Sequence, residues 1–185
     1  GADTRSLEGL PVAVKDESWI AGQQTSNGSL TMKDLVPDST SVVNQRLLDA
    51  GAIVHARTAT PEFSCAGYTN SRLWGVTRNP WNPDFTPGGS SGGSGAALAS
   101  GTTTLATGSD IPASASGVVG YKPPYGRNPQ EYPFNLDFYC HAGPLARTVA
   151  DTILFQNVMA GPDPQDIASL RPKLVLPQTY EGIAG

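Results

Sequence analysis

Thr86-Pro87-Gly88-Gly89-Ser90-Ser91-Gly92-Gly93-Ser94-Gly95-Ala96-Ala97-Leu98-Ala99-Ser100-Gly101 reads as a loop that turns into a helix. Its glycines at 88, 89, 92, 93 and 95 permit positive φ and close approach of the backbone to another group. They flank two adjacent hydroxyls, Ser90 and Ser91. Ala96, Ala97, Leu98 and Ala99 form a helical start, whose free N–H groups and positive dipole end favour negative charge beside the serines. The stretch thus suggests a site for an anion or an anionic transition state. A flexible Gly/Ser linker is the bland alternative, but a linker rarely runs into an Ala/Leu helix and then a β-type run at 102–107. A nucleotide phosphate loop needs a lysine after its last glycine, and none follows.

Upstream, Leu10-Pro11-Val12-Ala13-Val14-Lys15 is a short apolar run that reads as a buried strand delivering Lys15 at its end, before Asp16 and Glu17. A lysine there is ordinarily a solvated strand terminus. Strand ends, however, are where α/β folds build sites, and a lysine desolvated among apolar strands can lose its proton near neutral pH. Residues 18–38 are loop-like. Thr40 or Ser41 can cap a helix carrying Val42, Val43, Leu47 and Leu48, which Gly51 stops. Ala52 to Thr58 then reads as a strand, with His55 in its middle as a satisfied structural histidine. Residues 61–87 read as an ordered, aromatic loop packed against the domain.

Downstream, 102–110 reads as a strand ending in a turn, and 118–122 as another β-like run. The segment from there to Gly143 is irregular and aromatic. Thr148 and Asp151 open a capped helix over Val149 to Met159, ended by Gly161 and Pro162. Helices alternating with strands give the fold class: α/β, a mixed β-sheet flanked by helices. Residues 1–165 are expected to form the core, and the proline-broken 166–185 to be a linker toward a further part of the fold.

Composition narrows the function classes. The 185 residues are only 15% charged, against about a quarter in typical globular chains, with 21 Gly and 16 Pro, which suggests a loop-rich enzyme-like fold. A formal net charge of −4 without a basic stripe excludes a nucleic-acid partner. No apolar run reaches the roughly 18 residues of a membrane span and no leader opens the chain, so a soluble, cytoplasmic protein is expected. Cys65 and Cys140 lie far apart and outside metal-ligand spacing, and read as buried free thiols. With only His55 and His141 available, no metal and no cofactor is expected.

Three blocks carry a resemblance to a known family. They are Gly9 to Asp16, then Thr86 to Ser94 with Gly108-Ser109-Asp110, then Gly117 to Pro123 with Gly143 to Asp151. In this order, covering nearly the whole chain, they resemble the amidase signature family of serine hydrolases. The resemblance implies acyl transfer from a small-molecule amide through a Ser–cisSer–Lys triad, in which a neutral lysine takes a proton from a cis-bonded serine that relays it from a second, nucleophilic serine. On this chain it puts Lys15 in the role of general base and Ser90 in that of the relay. The family continues Gly-Ser-Asp with a Gly-Gly-Ser-Ile-Arg segment that holds the nucleophile and oxyanion amides. Here Asp110 is followed directly by Ile111-Pro112-Ala113, so the nucleophile has no matching position, and Ser114 stands at the family's usual separation from Ser90 only by coincidence. Family members are more than twice this length, so the chain resembles an N-terminal portion.

Two other readings remain open. Either the missing segment marks a non-catalytic amidase scaffold, or Gly89-Ser90-Ser91-Gly92-Gly93 is a G-x-S-x-G elbow with Ser91 as an esterase nucleophile beside Asp137 and His141. The elbow must follow a strand directly, and residues 82–87 are poor strand material. Assembly as a homo-oligomer is left open.

Overall fold

Pro11–Lys15 forms strand β1, an inner strand of the sheet with four of its five residues buried. In this computed structural model residues 4–109, 115–132, 134–139 and 141–179 are described. The expectations placed on Asp110, Ile111 to Ser114 and Cys140 lie outside them.

From β1 the chain passes through an irregular segment to α1 (Val42–Asp49) and returns as β2 (Ile53–Thr58), parallel to β1. Ser41 caps α1 by accepting the Asn44 N–H, and Gly51, at φ +90°, turns the chain out of it. Residues 61–87 are irregular, as expected, but hold a small antiparallel ladder of β3 (Asn70–Ser71) and β4 (Gly75–Val76) that no periodicity announces. Helix α2 (Gly92–Ala99) leads to β5 (Leu105–Gly108), which pairs parallel with the other side of β1. The β-type run at 102–107 thus becomes a strand only from Leu105. Two further strands, β6 (Val119–Gly120) and β7 (Gly143–Ala146), add antiparallel pairs, and α3 (Val149–Met159) follows, with Thr148 accepting the Asp151 N–H. Among the described residues the sheet order is β2-β1-β5-β7-β6, three parallel strands followed by an antiparallel pair. The mixed sheet flanked by helices is the fold class read from the sequence.

Each face of the sheet has its own core. Val12, Val14 and Leu105 pack with Val43 and Leu47 of α1 and Phe155 and Met159 of α3. Ala13, Ala106 and Leu145 pack with Leu98 of α2 on the opposite face. Complete burial of a side chain such as Leu47 or Phe155 contributes about 1.5–3 kcal/mol, so these two layers hold the sheet ends in place. Residues 163–170 also lie on the body: Asp166 is buried and accepts the Gln130 N–H, and the Leu170 N–H donates to the Gly126 carbonyl.

Candidate active site

Successive side chains of a strand point to opposite faces. Along β1, Val12 and Val14 enter one core and Ala13 the other, so Lys15 continues the Ala13 side, the face covered by α2. Its side chain is 1% exposed. The backbone N–H of Lys15 donates to Thr107 Oγ1 on β5, which fixes the strand end, while the side chain reaches the glycine-rich loop.

The loop reaches the lysine by close packing. Of the five glycines expected to exploit positive φ, only Gly88 does, at +87°. Gly89, Gly92 and Gly93 serve approach: a Cβ on Gly89 would stand 2.6 Å from Tyr68 N, one on Gly92 2.2 Å from Thr69 Oγ1, and one on Gly93 2.4 Å from Ala59 O. This explains why α2 opens at Gly92, four residues before the first alanine. Its leading amides are not free for an anion. Gly92 N–H donates to Thr69 Oγ1 and Gly93 N–H to the Ala59 carbonyl, so the anion cradle expected at this helix start is occupied by the protein itself.

What the loop delivers is Ser90, 3% exposed, after a cis Gly89–Ser90 peptide. Lys15 Nζ lies 2.6 Å from Ser90 Oγ, so the two residues singled out in the sequence are in hydrogen-bond contact across 75 positions. Ser91 turns away and accepts the Ser109 N–H at 3.1 Å.

Two more groups close on the lysine, and the sequence did not single out either. Ser109 Oγ lies 2.6 Å from Lys15 Nζ, and Glu17 Oε2 lies 3.0 Å from it. The turn after β1, in which Ser18 N–H donates to the Lys15 carbonyl, folds Glu17 back over the amine. Asp16 goes the other way and accepts the Ser26 N–H at 3.0 Å, with Arg57 3.9 Å away. Glu17 also accepts hydrogen bonds from the Ser64 and Ser109 hydroxyls. Burial pushes its carboxyl up, but the Lys15 charge and these hydroxyls outweigh it and hold the group below the usual carboxylate range. The alternation of β1 could have flagged Lys15 as facing α2; Ser109 and Glu17 depend on contacts that only the folded chain makes.

The esterase constellation does not assemble. Among the described residues no hydrogen bond joins Ser91 to His141, whose ring nitrogens meet Gln130 Nε2 and the Phe138 carbonyl, each at 3.0 Å. Residues 82–88 are turn and irregular chain, not the strand an elbow requires. His55 bonds Thr103 Oγ1 at 3.0 Å, a structural role. Cys65, read as buried, is exposed, because its 3₁₀ turn (Glu62–Ser64) lies on the surface. Among the described residues no group of three His, Cys, Asp or Glu is placed to hold a metal, and no helix is long and apolar enough to cross a membrane.

An α/β sheet that carries a buried lysine onto two serine hydroxyls has here the fold of the amidase signature enzymes. The chain belongs to the amidase family, whose model matches residues 1–182. It is 42% identical over 180 residues to a glutamyl-tRNA(Gln) amidotransferase subunit from Synechococcus sp. (strain WH7803), covering 92% of this chain and 36% of that one. It is likewise 42% identical over 179 residues to an indoleacetamide hydrolase of Bradyrhizobium diazoefficiens, covering 90% and 34%. A bacterial aryl acylamidase of the amidase signature family superposes with a TM-score of 0.84 at 33% identity, over 91% of this chain and 37% of that one. The chain spans a little over a third of the length of the relatives it matches.

Proposed function

We propose that this domain supplies the base and the proton relay of an amide hydrolase, with residues 1–165 as the core that carries them. The observation that supports this most is the buried 2.6 Å contact between Lys15 Nζ and Ser90 Oγ. In its neutral form the amine accepts the Ser90 proton while Ser90 takes one from the nucleophilic serine, whose oxygen attacks the amide carbonyl. As the C–N bond breaks, the proton returns through Ser90 to the leaving nitrogen. Water then hydrolyses the acyl-serine, restoring both hydroxyls. In the family that the chain resembles, the nucleophile sits in a segment after Gly-Ser-Asp that has no matching position here, where Ile111 follows Asp110 directly. The names of the relatives, which include a hydrolase of an amide, an aryl acylamidase and a component of an amidotransferase, all support a carbon–nitrogen amide substrate.

The test is turnover of an aryl amide by the complete protein and by its Lys15→Ala and Ser90→Ala variants. Each variant is expected to lose about a thousandfold or more in kcat/KM. Full activity in Lys15→Ala overturns the mechanism. A folded protein that neither turns over nor labels with a fluorophosphonate supports the alternative, a non-catalytic scaffold, which draws on the direct succession of Asp110 and Ile111.

A further inference from the structure

A lysine ammonium has three N–H donors, and Lys15 meets three oxygens: Ser90 Oγ and Ser109 Oγ at 2.6 Å and Glu17 Oε2 at 3.0 Å. Every proton of the charged form therefore has an acceptor, and no lone pair is left to receive one from Ser90. The amine becomes a base only after one of these three protons has left.

The three partners differ in what they can do with it. The two serines are buried and their hydroxyls are far weaker proton acceptors than a carboxylate. Glu17 is a carboxylate with 22% of its side chain exposed, which makes it the least enclosed of the three. It is also held there from two sides. The turn 15–18 sets its backbone, and Ser64 donates to its Oε2 from a segment where Phe63 and Ser64 adopt φ of +52° and +57°, a conformation non-glycine residues rarely take. Thr60 Oγ1 lies 3.0 Å from the Ser64 hydroxyl and can donate to it, which leaves the Ser64 proton for the carboxylate.

Other charged groups near the amine are committed elsewhere. On the same turn, Asp16 faces Ser26 and Arg57. On β2, the Arg57 guanidinium donates to the Ser18 carbonyl and Thr25. In the 59–65 segment, Glu62 accepts from Ser29 Oγ. Among the described residues, the end of β5 and the glycine loop present the hydroxyls of Thr107, Ser109 and Ser90 to the lysine. Among the described residues Glu17 is the one carboxylate on Nζ.

We propose that Glu17 is a positioning residue that seats the Lys15 amine against Ser90, the departing proton passing from Nζ to the Glu17 carboxylate and on to water. The proposal rests on the reading of Lys15 as the base.

It is tested on the complete protein by turnover of an aryl amide. Glu17→Gln, which keeps the size but not the charge, is expected to lower kcat about ten- to a hundredfold with KM little changed, and Glu17→Asp, which keeps the charge but draws it back from Nζ, to lower it less. A parental kcat in Glu17→Gln overturns the proposal. Should that variant not fold, Glu17→Asp decides: a lowered kcat at unchanged KM supports the proposal and an unaltered one overturns it. The two readings fail separately. Turnover that survives Lys15→Ala removes the base assignment, whereas turnover lost in Lys15→Ala with a parental kcat in Glu17→Gln removes only the role of Glu17.

Discussion

Replacing Gly93 by alanine separates two forces that predict opposite signs. Gly93 lies in the first turn of α2, where intrinsic propensity favours alanine over glycine by about 1 kcal/mol. Propensity alone therefore predicts a stabilised protein. The packing predicts the reverse, because the added Cβ would stand 2.4 Å from the Ala59 carbonyl oxygen, 2.5 Å from its nitrogen and 3.0 Å from its Cα. The nearest of these is about 1 Å short of an ordinary contact, and all three are backbone atoms that no rotamer change can move. The Gly93 N–H bond to the Ala59 carbonyl, 3.2 Å long, stretches with them. Forced overpacking of this kind costs about 1–3 kcal/mol and a lost hydrogen bond about 1 more, so the net expectation is destabilisation by about 1–3 kcal/mol. For a chain of this size that lowers Tm by roughly 2–12 °C. Urea denaturation followed by far-UV circular dichroism reads it directly, with Gly67→Ala as the control, since no atom lies within 4 Å of a Cβ built there. A Gly93→Ala protein as stable as its parent, or more so, refutes the reasoning that the glycine run exists for close approach.

Two further perturbations probe buried charge away from the lysine. Burial pushes the His141 ring down, with Lys122 acting in the same direction against the Phe138 carbonyl, so the unfolded chain takes up the proton first as pH falls. The stability from the neutral ring is complete above about pH 6.5 and declines below it, and urea midpoints across this range should fall less steeply in His141→Asn; parallel curves contradict the assignment. Asp16 is buried with Arg57 3.9 Å away, and Nε and Nη1 of that guanidinium have no hydrogen-bond partner among the described residues. Asp16→Ala is expected to destabilise by about 3 kcal/mol in the same assay, and a loss below about 1 kcal/mol would show that Arg57 does not need the carboxylate.

Local signals carried much of the architecture. The caps at Ser41 and Thr148 were readable because capping is a contact between neighbours in sequence, and β1 because an apolar run ending in a charge leaves few alternatives. The start of α2 was misplaced for the opposite reason. Glycine in a helix costs free energy locally, and what offsets it is contact with Ala59 and Thr69, far away in sequence. Cys65 shows the same limit: free cysteine is usually buried, and only the surface position of its turn reverses that expectation. In the site, Lys15 and Ser90 came from pattern and resemblance together. Ser109 was visible only as part of a motif and Glu17 only as the end of a charge run, because their meeting at Nζ follows from the pairing of β1 with β5 and from the turn after β1.

The groups on Lys15 Nζ come from three separate places, the turn after β1, the glycine loop and the end of β5, and Ser64, which holds Glu17, from a fourth. No contiguous peptide contains them, so the constellation cannot be transplanted as a motif or assembled before β1, β5 and the loop between them have met. The contact between Lys15 and Ser90 is thereby a proofreading mark: it forms when the registers of β1, β5 and the loop between them are all correct. Inheritance has to carry the site as a whole sheet, so its residues are tied to the hydrophobic alternation of β1, where a slip of one position would turn the lysine into the opposite core.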